Sequence, residues 1–129
     1  MKQSVATLLV IAVILGSGCA APIPRIDYYD VETDALKRIR DMRALDAAAI
    51  EAGAYHDLGE VDGLFCPTQW IWLNSPEAQR MAVDQVKIRA AQLGATHISE
   101  PVCEANESMD MTNNCMSTVK CSARALVEN

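Results

Sequence analysis

The sequence predicts a small single α+β domain, built as a βαβ unit plus a C-terminal strand, with its helix packed on the sheet and two disulfides holding it. Three observations predict it. Helix signals run from 75 to 94 between two strand-like stretches, the last stretch alternates apolar and polar residues, and four cysteines are spread over the second half of the chain. The 129 residues, 50% hydrophobic and only 5% aromatic, suit one modest core rather than two. Seventeen acidic against 11 basic side chains, a net charge of −6, give nucleic acid no basic surface to bind.

The elements follow in chain order. Residues 2–19 read KQSVATLLVIAVILGSGC: a positive charge at Lys2, an apolar run from Val5 to Leu15, then small residues before Cys19. That is the pattern of a signal peptide. The run would make a helix of about 16 Å, half of a bilayer core, so it is too short to span. A leader ending in small residues and Cys resembles the bacterial lipoprotein box. The resemblance implies cleavage after residue 18, acylation of Cys19, and, because residue 20 is Ala rather than Asp, an outer-membrane destination. An ordinary secretory signal cut near Ala20 or Ala21 is the alternative. Residues 19–44 are then the lipidated N-terminus and tether, and 45–129 the folded domain.

Residues 20–32 have no apolar period and two prolines, which is tether composition. From Thr33 to Ala52, Leu36, Ile39, Met42 and Ile50 roughly suit a helix, and a second short helix could start at Asp46. Tyr55 to Cys66 reads as a strand in which Leu58 and Val61 fall on opposite faces, so Gly59 is expected to carry a bulge. Ser75 then serves as N-cap, Pro76 as the first helical residue, and Ala78, Ala82, Val86, Ala90 and Leu93 as the apolar stripe of a helix ended by Gly94. Thr96 to Cys103 is a short strand that Pro101 marks as an edge or an end. Residues 104–114 read as a polar loop. In the last strand Val119, Cys121, Ala123, Ala125 and Val127 share the buried face, with Thr118, Lys120, Ser122 and Arg124 opposite.

With Cys19 assigned to the lipid, Cys66, Cys103, Cys115 and Cys121 form an even set in an oxidising compartment, and a disulfide framework follows. Spacing alone leaves all three pairings open. Zinc and thioredoxin-like chemistry both want a CxxC, which the chain lacks. No nucleophile with a base, carboxylate pair in a pocket or glycine-rich phosphate cradle is present, so no catalytic residue, cofactor, metal ligand or small-molecule substrate is assigned.

The lipoprotein leader, the run DLGEVDG shortly before Cys66, the later Cys103 and the ending NCMSTVKCSARAL together resemble the RcsF family. Those are outer-membrane lipoproteins that sense envelope damage and switch on the Rcs phosphorelay. The resemblance covers residues 45–127 and is most specific at Asp57–Gly63 and Asn114–Leu126. It implies that Cys66 pairs with Cys115 and Cys103 with Cys121, and that the domain is lipid-anchored and faces the periplasm or in part the cell surface. As partners it implies a barrel protein or BamA-like assembly machinery at rest, and an IgaA-like inner-membrane regulator under stress. Family members carry a long, proline-rich tether, whereas residues 20–40 here hold only Pro22 and Pro24. A structural lipoprotein of the outer membrane with no phosphorelay role is the alternative function.

Other residues admit two readings. Trp70, Ile71, Trp72 and Leu73 form an apolar cluster in a loop, either a satellite core or, through Trp70 and Trp72, a partner-binding hot spot. Lys37, Arg38, Arg40 and Arg43 form either a solvated face or a site for acidic headgroups. His56 and His97 lack a second ligand nearby and read as structural or surface histidines.

Overall fold

A five-stranded mixed sheet is built around the last strand of the chain. The structure is a computed structural model that describes residues 22–23, 31–67 and 73–129. Helix α1 (Thr33–Asp41), strand β1 (Arg43–Leu45), helix α2 (Ala47–Ala52), strand β2 (Tyr55–Phe65), helix α3 (Pro76–Gln92) and strands β3 (His97–Ser99), β4 (Val102–Asn106) and β5 (Thr118–Glu128) follow in order. The sheet order is β1-β3-β5-β2, with β4 also paired to β5. β2 and β5 run antiparallel from Tyr55↔Glu128 to Phe65↔Val119, and along its other side β5 pairs first with β3 and then with β4. The strands that α3 connects are therefore parallel but separated by β5. The βαβ unit is a split one, closed only when the C-terminal strand enters.

Local chemistry sets each element. Ser75 caps α3 through Oγ, which accepts a hydrogen bond from the Ala78 N–H at 3.1 Å, and Pro76 occupies the first turn. Ala78, Ala82, Val86 and Ala90 are buried toward the sheet as the stripe predicts, whereas Leu93 is half exposed. Ile88 and Ala91 lie off that stripe and are buried as well, because α1 lies against α3. The small stripe permits close approach. At Gly63 on β2, an added Cβ would run into the Ala82 carbonyl oxygen and come within 2.6 Å of the Val86 nitrogen. The expected bulge is present: the β2–β5 register shifts between Asp57 and Gly59, and Gly59 has φ +112°.

Several expectations are corrected. The segment 33–52 is not one helix but α1 and α2 separated by β1, because Arg43, Ala44 and Leu45 pair in parallel with His97, Ile98 and Ser99. The folded unit also begins ahead of residue 45. Val31, Ala35, Ile39 and Met42 are buried in the same core as Val61, Val86, Ile98 and Val119, so α1 belongs to the domain and not to a tether. The strand expected over 96–103 breaks at Pro101 and resumes as β4, which takes three residues from the expected polar loop. At the break the Ser99 hydroxyl accepts the Arg124 N–H at 2.9 Å, which keeps the β5 backbone satisfied across the gap.

Candidate interaction face

The sheet has two unlike faces. On one, Val61, Val119, Cys121, Ala123 and Ala125 meet α3 and form the core. On the other, strand alternation gathers Asp57, Glu60 and Asp62 from β2, Lys120, Ser122 and Arg124 from β5, and Val102 and Glu104 from β4. Among the described residues no helix packs on β4. Val102 is 66% exposed there. Beside it lies a shallow depression of about 170 Å³ lined by Glu60, Ser99, Glu100, Val102, Ser122 and Arg124.

Charges on this face are arranged in cross-strand pairs. The Arg124 guanidinium binds the Asp57 carboxylate through Nη2 and through Nε at 2.8 Å, and Asp57 also accepts the Gly59 N–H at 2.8 Å. The bulge thus presents Asp57 to Arg124. The guanidinium hydrogen bond first, and the Gly59 N–H second, hold the Asp57 carboxyl below its ordinary value of 3.8. Lys120 approaches Asp62 at 3.6 Å. Glu60, Glu100 and Glu104 add negative charge around the exposed Val102, so the face offers a small apolar spot with an acidic rim.

Two disulfides hold the sheet, one on the core face behind this one and one at the end of β2. Cys103 and Cys121 are directly opposite one another on β4 and β5, with Cα atoms 4.0 Å apart. Cys66, just past β2, is joined to Cys115 at a Cα separation of 5.5 Å. These are the first-to-third and second-to-fourth pairs that the family resemblance implied. Cys115 closes a small hairpin in which Asp110 and Cys115 exchange backbone hydrogen bonds at 2.8 and 3.0 Å. The Asp110 carboxylate accepts the Asn113 side-chain amide at 2.7 Å and its backbone N–H at 3.1 Å, which lowers its pKa from 3.8.

The remaining candidates are placed as follows. Cys19, Trp70 and Trp72 lie outside the described residues, while Leu73, from the same apolar cluster, is buried in the core. Lys37, Arg38, Arg40 and Arg43 are exposed on α1 and at the start of β1. His97 meets the Tyr55 ring edge to face at 5.3 Å and exchanges a hydrogen bond with the Thr96 hydroxyl at 2.9 Å; His56 is exposed. Sequence reasoning missed the exposed Val102 and the exposed methionines Met109, Met111 and Met116. The run MDMTNNCM carries three methionines in eight residues, a density that marks them. Among the described residues no helix is long and apolar enough to cross a membrane. A scan against protein-family models finds no match to this chain, and a comparison with curated proteins finds none either.

Proposed function

We propose that this chain is an outer-membrane lipoprotein of the RcsF type, which senses envelope stress and signals to the Rcs phosphorelay by protein–protein binding rather than catalysis. The observation that carries this reading is the interleaved pair of bridges, Cys66–Cys115 and Cys103–Cys121, within a small α+β domain. The leader ending at Cys19 supports the lipid anchor, with the domain on the periplasmic side or in part at the surface. In this reading the anchored domain exchanges partners: a barrel protein or BamA-like machinery at rest, an IgaA-like inner-membrane regulator under stress. The uncovered sheet face around Val102 is the surface offered to one of them. Its polar rim and exposed apolar centre are the ordinary anatomy of a modest, reversible interface.

In-cell photocrosslinking from Val102 and Lys120 tests this, in resting and in envelope-stressed cells. Capture of an inner-membrane regulator that rises on stress is the expected result. Unchanged capture of barrel or cell-wall components alone would overturn the sensor reading and favour a structural lipoprotein.

A further inference from the structure

The hairpin between β4 and β5 carries side chains that partner exchange leaves unused. Met109, Met111 and Met116 are 54%, 79% and 58% exposed, three of the five large hydrophobic side chains exposed among the described residues. They add nothing to a core that is short of large side chains. Yet the segment holding them is tightly tied, by the reciprocal Asp110–Cys115 backbone pair, the Asp110–Asn113 hydrogen bonds and the Cys66–Cys115 bridge. From outside the hairpin, the Ile23 N–H donates to Asn113 Oδ1 at 2.8 Å. The three thioethers are therefore displayed on an ordered frame.

The isolated antiparallel bridge between Asp110 and Cys115 places Met109 opposite Met116 across the hairpin. Cys115 is 3% exposed and turned inward to its bridge, so the next residue, Met116, is turned out. Met109 precedes Asp110, the partner of Cys115, and falls on the same outward face as Met116. Met111 follows Asp110 at the start of the turn. Thioether sulfur is a soft, neutral donor that carries no proton at any ordinary pH. It favours soft monovalent ions over zinc, calcium or magnesium, which want imidazole, thiolate or carboxylate ligands. The four domain cysteines are in disulfides and do not compete as thiolates.

We propose that this hairpin binds one soft monovalent metal ion, Cu(I), through the thioether sulfurs of Met109, Met111 and Met116. No bond to carbon is made or broken and no electron is transferred; the ion exchanges its previous ligands for three sulfurs.

The test uses the purified chain with both bridges intact, titrated with Ag(I) as a redox-inert soft probe and, without oxygen, with Cu(I) presented as a coloured chelator complex. One equivalent should bind. The ε-methyl NMR signals of Met109, Met111 and Met116 should shift together while those of Met42 and Met81 stay in place. The triple variant M109L/M111L/M116L should lose binding with an unchanged melting temperature, and M81L should bind as the parent does. Failure of both ions to bind, or binding that survives in the triple variant, overturns the proposal. Metal uptake that tracks newly alkylatable thiols overturns it too, since the ligand would then be an opened bridge.

Discussion

At the scale of single residues, the open sheet face is set by two demands on β2. Asp57 must reach Arg124 across the sheet, and Gly59 makes the bulge that turns it there. Because the folded Asp57 carboxyl titrates below 3.8, the pair's contribution is complete above that pH and is lost as the pH falls through the folded value. Both partners are exposed, so the contribution is under about 1 kcal/mol and shrinks in salt. Arg124→Ala should move the Asp57 pKa up toward 3.8 in a carboxyl-carbon NMR titration, and an unmoved titration would contradict the pairing. Two glycines on the same strand separate strain from crowding. Gly59→Ala places a Cβ in open space but at φ +112°, and should cost about 1–3 kcal/mol through backbone strain. Gly63→Ala keeps an ordinary backbone but drives its Cβ into the Ala82 carbonyl, and should cost at least about 2 kcal/mol by forcing α3 off the sheet. Denaturant midpoints measure both, and near-UV circular dichroism distinguishes the second, which alone disturbs the core around Phe65.

At the scale of elements, β2 is an edge strand of 11 residues, long enough to recruit a foreign strand. Arg89 of α3 donates from Nη1 to the Asp62 carbonyl at 2.7 Å and so occupies a β2 backbone acceptor with a bulky cation. Burial lowers the Arg89 pKa below its ordinary value while the Asp62 charge works to raise it, and the guanidinium stays charged at physiological pH. Arg89→Ala should increase self-association in sedimentation velocity, and Arg89→Lys should do so less. A monodisperse Arg89→Ala protein would show that the bulge alone protects the edge. Element α1 makes the complementary case. A chain started at residue 45 loses buried Val31, Ala35, Ile39 and Met42, at about 1.5–3 kcal/mol for each of the larger side chains, and should melt far below one started at residue 31. These contrasts also show what the sequence could disclose. Helix α3 was legible because Ser75, Pro76 and the alanine stripe act within one or two turns, and β5 because its alternation is local. Strand β1 was hidden because three residues cannot display a period; only pairing with β3 defines it. The position of β5 between β2 and β3 was hidden for the same reason, as was the Asp57–Arg124 pair, whose members are 67 residues apart. The bridges are legible only through family resemblance, and the outward methionines are hidden within a polar stretch of sequence because their display depends on the Asp110–Cys115 pairing.

At the scale of the whole molecule, the strand that organises the sheet is the last one in the chain. Since β5 holds β2 on one side and β3 and β4 on the other, the sheet cannot close before residues 118–128 arrive, and nearly all of its pairing is non-local. Cross-links that shorten those separations in the unfolded chain therefore matter more here than in a fold of local contacts. The two bridges close segments of 49 and 18 residues, worth about 4 and 3 kcal/mol in the chain-entropy picture, against a total of about 5–15 kcal/mol for a domain of this kind. Their structural roles differ. Cys103–Cys121 duplicates a ladder that β4 and β5 already make over five residue pairs, whereas Cys66–Cys115 anchors the 110–115 hairpin beside the end of β2. The variant C103A/C121A should lose global stability and leave a hole where the sulfur was at the fully buried position 121, with exchange protection falling across β4 and β5 together. The variant C66A/C115A should lose protection first at the hairpin amides of Asp110 and Cys115, while the centre of the β2–β5 ladder keeps its own until global unfolding. Hydrogen exchange read residue by residue separates the two patterns. Equal loss at both places in both variants would mean that the bridges act only through the unfolded chain, and removal of all four cysteines should leave the domain unfolded at physiological temperature.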